Sequence, residues 1–285
     1  MLEKSKLQEA LAAYHQASTL DPTNPEPHLA AGRLLEQQEK FSDAEEEYKQ
    51  ALALDPSSKV TTADALTGLA NISMRGRRFA QSEGYLRKLV ALRPDDPAAH
   101  VQLGRVLAAE NKNDAAILEL QTGVKLAPAD LSVQRDLAEV YSTLGKNDLA
   151  EAVYRGLITS LPSDAELHRN LGHALVLQKK FPEAQKEFLS AVNLKPDFGE
   201  AYGDLAFAAG ENKDYALAIK ALDARAKFLP EIPITYFLRA SAYDHLKNFK
   251  PAAANYHLFL NTANGKYPDQ EWQAKHRLIA IEPKK

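Results

Sequence analysis

Apolar residues recur along the chain at intervals of three and four positions, which is the spacing of amphipathic helices rather than of strands. Two ladders of small residues run through this pattern in register. The first ladder is Ala10, Ala44, Ser82, Ala116, Ala150, Ala184, Ala218 and Ala252. The second is Gly32, Ala70, Gly104, Ala138, Gly172, Ala206 and Ala240. Because helices approach closely only where their side chains are small, the ladders predict repeated pairs of packed helices.

A row of prolines gives the length of the repeating unit. The row is Pro22, Pro56, Pro94, Pro128, Pro162, Pro196 and Pro230, at intervals of 34, 38, 34, 34, 34 and 34 residues. Proline cannot continue a helix, so each unit is expected to end there. Large residues four positions after the first ladder are expected to fill the space between helices. They are Tyr48, Leu86, Leu120, Tyr154, Phe188, Leu222 and Tyr256.

Repeat 165–198 resembles the tetratricopeptide repeat in Leu171, Gly172, Ala184, Phe188 and Pro196. His168 takes the place where that family often has tryptophan. The resemblance implies an all-α solenoid, a right-handed superhelix of antiparallel helix pairs. It extends over about seven full repeats, at residues 25–58, 63–96, 97–130, 131–164, 165–198, 199–232 and 233–266.

The two ends of the chain depart from the full repeat. Residues 1–24 match only the second helix of a repeat, so we expect the natural protein to begin upstream of Met1. Residues 267–285 are predicted to form a capping helix and a solubilising tail that ends in Lys284 and Lys285. The expected apolar face of this helix is Trp272, Leu278, Ile279 and Ile281. A weak homodimer through the terminal repeats is also expected.

Charge and composition exclude several classes of function. The 285 residues include 35 basic and 38 acidic side chains, a balance that argues against a duplex nucleic-acid binder. Cysteine is absent, which removes disulfides and thiolate metal sites. No apolar run approaches the 18 residues of a membrane span, so direct membrane insertion is not expected. The compact repeat style suggests a bacterial protein of the cytoplasm or the periplasm, and the sequence does not identify the compartment.

Motifs of catalysis, cofactor binding and metal binding are missing from the sequence. His28, His100 and His168 occupy one position of successive repeats, which favours a framework role over a metal site. We therefore predict no catalytic residue, no cofactor and no metal.

By resemblance, the first helix of each repeat lines a concave groove that binds a protein or peptide ligand. The candidate groove residues are Arg33, Asn71, Arg105, Arg135, Arg169, Asn170, His173, Asp204, Phe207 and Phe237. This order predicts a groove that changes from polar and cationic to apolar. The alternative is that Phe207 and Phe237 pack internally or are covered by the terminal helix. The Lys and Asn patterns of the carboxylate clamp and of the asparagine ladder, two known groove types of this family, are both absent.

Two arginines interrupt the apolar pattern. Arg225 replaces a recurrent alanine and Arg239 replaces a leucine. We expect their stems to be buried and their guanidinium groups to reach water. The alternative is a paired-charge site with Asp204, Asp223 or Asp244.

The sequence as a whole predicts a non-catalytic scaffold for protein–protein interaction. Such a groove buries a few anchor side chains and fixes the remainder of the ligand by hydrogen bonds. An alternative is a regulatory or targeting segment of a larger enzyme or of an envelope-assembly protein. Self-association through a terminal helix face is the third interpretation.

Overall fold

A computed structural model describes residues 2–55 and 57–282, with side chains from residue 6 onward. The predictions made for Met1, Pro56, Lys284 and Lys285 lie outside these residues. The structure is 79% helical, and its described part holds sixteen helices and no strand. The all-α prediction is therefore confirmed.

The chain divides into two compact units, Met1–Val140 and Tyr141–Lys285. The helices α1 to α8 are Leu2–Leu20, Glu26–Gln37, Phe41–Leu54, Lys59–Arg75, Phe79–Leu92, Pro97–Ala109, Asn113–Leu126 and Leu131–Thr143. The helices α9 to α16 are Asn147–Ser160, Ala165–Leu177, Phe181–Leu194, Gly199–Glu211, Tyr215–Arg225, Pro233–His245, Phe249–Ala263 and Pro268–Ile281. They stack in pairs, as the predicted solenoid requires. The exact repeat boundaries given above stay a prediction.

The two ladders of small residues meet where the helices of a pair cross. Ser82 on α5 is buried and donates a hydrogen bond to the carbonyl of Ala70 on α4, at 2.9 Å. A Cβ atom added to Gly104 would lie 2.6 Å from Cγ of Leu120, and one added to Gly172 would lie 2.5 Å from Cε1 of Phe188. The large residue of the second helix thus occupies the space that the missing side chain leaves on the first.

Aspartates in the proline turns begin several of the first helices. Asp96 accepts hydrogen bonds from the amides of Ala98 and Ala99, at 2.9 and 3.4 Å. Asp164 accepts from the amides of Glu166 and Leu167 in the same way. These amides have no partner inside their own helix, so the carboxylate caps the helix and stabilises it by about 1 kcal/mol.

The turn inside each full pair contains one residue in the left-handed backbone region. These residues are Glu39, Arg77, Asn111, Gly145, Lys179, Lys213 and Lys247, with φ from 55° to 68°. They recur with the repeat period, yet only one is glycine, the residue that adopts this conformation without strain. The periodic turn is therefore a feature of the backbone that residue types do not reveal.

Candidate functional site

The first helices of the pairs carry all ten candidate groove residues. In the first unit they are Arg33 on α2, Asn71 on α4, Arg105 on α6 and Arg135 on α8. In the second unit they are Arg169, Asn170 and His173 on α10, Asp204 and Phe207 on α12, and Phe237 on α14. The candidate residues thus form two groups, one on each unit.

Ion pairs balance two of the three candidate arginines of the first unit, Arg33 and Arg105. Nη2 of Arg33 lies 2.6 Å from Oδ2 of Asp64, on the next first helix. Nη2 of Arg105 lies 2.5 Å from Oδ2 of Asp136 in the same relation. The expected cationic stretch needs correction at these positions, because an aspartate of the following pair neutralises each guanidinium. Both arginines are half exposed, so each pair contributes no more than about 1 kcal/mol.

Three candidate residues of the second unit form one network. Oδ2 of Asp204 accepts from Nε of Arg169 at 2.5 Å and lies 3.0 Å from Nε2 of His173. Burial raises the pKa of Asp204, but the contacts with His173 and Arg169 outweigh burial and hold that pKa below its ordinary value. The carboxylate thus stays ionised and fixes both neighbours. The sequence placed these residues on one face but did not foresee that they bind each other.

Asn170 lines a surface hollow of about 500 Å³ beside this network. Its other walls include Lys195 and Phe198, and Nζ of Lys195 lies 4.6 Å from the centre of the Phe198 ring. In the first unit, Asn71 and Arg105 line a smaller cavity of about 140 Å³.

The two candidate phenylalanines differ in exposure. Phe207 is 39% exposed and meets Phe181 edge-on, with 6.5 Å between the ring centres. Phe237 is half-buried against Phe259 and Tyr256, at 5.2 and 6.0 Å between ring centres. Internal packing, the alternative interpretation, therefore holds in large part for Phe237. Phe207 keeps a larger exposed part of its ring.

The terminal helix α16 is rotated relative to the predicted apolar face. Ala274 and Leu278 are buried against the core of α14 and α15, whereas Trp272 is 61% and Ile279 68% exposed. The prediction that Trp272 and Ile279 lie on the packed face is wrong. The small Ala274, one turn before Leu278, packs against α14 and α15 instead. Because large apolar residues occur on several sides of α16, hydrophobicity alone does not identify its packed face.

Both unusual arginines are buried, which corrects the expectation that their guanidinium groups reach water. Arg239 is 8% exposed, with Nη2 at 2.7 Å from Oε1 of Glu231 and Nε at 3.2 Å from Oδ1 of Asp223. Nη1 of Arg225 donates to the carbonyl of Pro230 at 2.9 Å. The paired-charge alternative is right for Arg239 and Asp223, and Glu231 is the partner that the sequence did not indicate.

The repeated histidines each bind a glutamate of the second helix in their own pair. The pairs are His28 with Glu47, His100 with Glu119 and His168 with Glu187, at 2.7, 2.6 and 2.7 Å. The other ring nitrogen of His100 bonds to the carbonyl of Pro94, at 2.9 Å. These contacts join the two helices to the preceding turn, which is the framework role. Among the described residues, no three His, Asp or Glu side chains are placed to hold one metal ion.

No helix in the described ranges has the length and apolar character needed to cross a bilayer. This result agrees with the absence of a long apolar run in the sequence.

Solved structures of repeat proteins share this fold. The C-terminal part of a TPR repeat-containing protein from Cytophaga hutchinsonii is 18% identical, with a TM-score of 0.70 over 85% of this chain and 98% of that one. The Pseudomonas aeruginosa pilF protein is 18% identical, with a TM-score of 0.60 over 76% and 99% of the two chains. YrrB, described as a TPR protein with an unusual peptide-binding site, is 21% identical, with a TM-score of 0.58 over 66% and 95%. At these identities the likeness shows the fold alone.

Sequence comparison gives the family directly. Models described as tetratricopeptide repeat match residues 1–65, 67–130 and 135–197, which is more than half of the chain. A search of curated proteins finds no match. With its sixteen described helices accommodating about seven repeats and additional helices, the chain belongs to the tetratricopeptide repeat family.

Proposed function

We propose that this protein is a non-catalytic scaffold that binds a segment of a partner protein on the first helices α10, α12 and α14 of its second unit and on the terminal helix α16. The tetratricopeptide repeat fold supports a role in protein–protein interaction. YrrB, a structural neighbour, is described as having a peptide-binding site, which supports a peptide or partner helix as the ligand.

The exposed Phe207 is the observation that carries this proposal. The exposed part of this ring, on a helix otherwise packed into the core, is apolar surface that a partner can cover. Leu177, at the end of α10, is also largely exposed. A Cβ atom on Gly210 would meet nothing within 4 Å, so this part of α12 leaves room for a ligand backbone.

The neighbouring network fixes the face without adding net cationic charge. Arg169 and Asp204 balance each other, and Arg169 also lies 5.3 Å from the ring centre of Phe198. Partner recognition on this face should therefore depend on apolar contact more than on charge. In the first unit, the Arg33–Asp64 and Arg105–Asp136 pairs leave the half-exposed arginines able to donate further hydrogen bonds.

Site-specific photocrosslinking tests the face. A photoreactive phenylalanine analogue replaces Phe207 in one variant and Leu189 in another. Leu189 is a matched control, because it is also 39% exposed but lies on the second helix α11. The proposal expects a discrete crosslinked protein from position 207 and none from position 189.

Binding of the identified partner is then measured by calorimetry. Phe207→Ala is expected to weaken binding by about 2 kcal/mol, or about thirtyfold, as for a buried aromatic anchor. Leu189→Ala should leave the affinity unchanged. Crosslinks that arise from position 189 only, or a normal affinity for Phe207→Ala, would place the partner on another surface.

A further inference from the structure

A cavity of about 560 Å³ lies in the second unit where α16 meets α14 and the start of α15. Its walls are rich in aromatic side chains, namely Phe237, Phe249, Tyr256 and Trp272. Trp272 is the only tryptophan of the chain and remains mostly exposed. This volume is typical of small ligand sites and is too small for a helix about 10 Å wide with its side chains.

Contacts among its own side chains build the floor of the cavity. Tyr256 is buried and its hydroxyl donates to Oδ2 of Asp244, at 3.4 Å. Nε and Nη2 of Arg277 donate to the two oxygens of the same carboxylate, at 2.6 and 2.7 Å. The Phe237 ring rests against the buried rings of Tyr256 and Phe259. The cavity thus exists before any ligand arrives.

The charge of the lining is cationic. Arg277 and Asp244 balance each other, so Asp244 is not available to attract a ligand cation. Lys247 also lines the cavity, and it forms no ion pair within the described part of the chain. His245 and His276 complete the polar wall, and Nδ1 of His276 bonds to the carbonyl of Trp272 at 2.8 Å. With the histidines counted as neutral, one unbalanced positive charge remains, which favours an anionic neighbour for any aromatic group bound there.

We infer that this cavity binds one bulky aromatic side chain of a partner protein, with a carboxylate beside it in the partner sequence. Aromatic walls favour an aromatic occupant, because offset and edge-on ring pairs add about 0.5–1.5 kcal/mol to the burial of their surfaces. Lys247 and the outer edge of Arg277 meet the carboxylate. This inference rests on the proposed function and adds a defined anchor subsite to the binding face.

Trp272 fluorescence provides the test, since the chain has no other tryptophan. The probe is a blocked seven-residue peptide in which glycines flank one Phe and two following Asp residues. One control peptide carries Lys in place of both Asp, and a second carries Ala in place of Phe. The inference expects a saturable fluorescence change with the Phe–Asp peptide, binding about fivefold weaker with the Lys peptide, and none with the Ala peptide.

Two variants place the response in the cavity. Ser241→Phe fills the cavity and is expected to abolish the response, with circular dichroism verifying that the helix content is unchanged. Lys247→Glu keeps the aromatic walls and is expected to remove the preference for Asp over Lys. A normal response in Ser241→Phe, or equal binding of both charged peptides, overturns the inference. Phenylacetate bound as tightly as the Phe–Asp peptide overturns it too, because the site then takes small aromatic acids.

The outcome is separable from that of the proposed function. If Phe207→Ala loses its partner while Ser241→Phe binds that partner normally, the binding face stands and the subsite fails. If the peptide responds as expected while Phe207 proves irrelevant, the subsite stands and the wider face fails.

Discussion

Replacing Gly172 by alanine isolates the steric role of the second ladder. In an exposed helix position this change stabilises a protein by about 1 kcal/mol, because alanine has the higher helix propensity. At position 172, however, the new Cβ would lie at 2.5, 2.8 and 2.8 Å from three ring atoms of the buried Phe188. Such overpacking costs about 1–3 kcal/mol. The net change expected is a destabilisation of about 0–2 kcal/mol.

Gly156 provides the matched control. It lies in the interior of α9, is exposed, and a Cβ there would meet no atom within 4 Å. Gly156→Ala should therefore stabilise the protein by about 1 kcal/mol. Urea unfolding followed by circular dichroism measures both variants, which should differ by about 1–3 kcal/mol.

A double-mutant cycle connects the effect to Phe188. In a Phe188→Ala background the large side chain is gone, so Gly172→Ala should approach the gain seen at Gly156. The expected coupling energy is about 1–3 kcal/mol, within the range of residues in direct contact. Equal gains from Gly172→Ala and Gly156→Ala in the wild-type background would refute the close crossing of α10 and α11.

Three further predictions concern charge and backbone conformation. Arg239→Ala should lower the unfolding free energy by about 3 kcal/mol, because it leaves Glu231 without its buried partner. Asp223→Asn, at the exposed end of the contact, should lower it by less than about 1 kcal/mol. Equal losses for the two variants in urea unfolding would contradict this prediction. Burial raises the pKa of Glu151, but hydrogen bonds from Lys180 and others lower it to about 2, so the stability it contributes is present above its ordinary pKa of 4.5 and is lost as pH falls towards 2. Glu151→Gln should accordingly be less stable than the wild type at pH 7 and equal to it near pH 2, and a constant difference would argue against the contact. Lys179→Gly should raise the unfolding free energy by about 0.5–1 kcal/mol because φ is 60° there, and a lower urea midpoint would contradict it.

The helical fold could be predicted from the sequence because steric rules act at equivalent positions of every repeat. A glycine at position 104 or 172 has one physical use, which is to let a large residue of the next helix approach. The structure places Leu120 and Phe188 at those points. Because the same steric requirement recurs in successive repeats, chance alone does not explain why small and large residues recur at the matching positions.

The side-chain partners within the candidate site could not be predicted in the same way. Aligning repeats compares equivalent positions, but ion pairs connect positions that are not equivalent. Arg105 and Asp136 are 31 residues apart, and Arg169 and Asp204 are 35 apart, so neither distance equals the repeat length of 34. A search for opposite charges slightly offset from the repeat length would have found both pairs. The sequence predicts that the candidate residues lie on the first helices. It does not show the aspartates that neutralise the charge of their arginines.

Rotation of α16 shows a second limit of the sequence. Trp272 and Ile279 are more apolar than Ala274, so hydrophobicity alone favours them for the packed face. Packing at a close helix crossing instead selects the small residue, as it does at the ladders. The sequence pattern identified the helix, but the size of Ala274 determined which face it buries.

The distribution of charge has a consequence for how a partner is recognised. Arg169 is already bound by Asp204, and Arg277 by Asp244, so a ligand carboxylate must compete with a carboxylate held in place by the fold. That competition limits the free energy that charge can add at these sites. The apolar surface that Phe207 and Trp272 expose faces no such competitor, because no charged group of the fold has to be displaced from it. Specificity on this face should therefore come from the spacing of two apolar side chains in the partner, with Lys247 selecting the charge beside one of them.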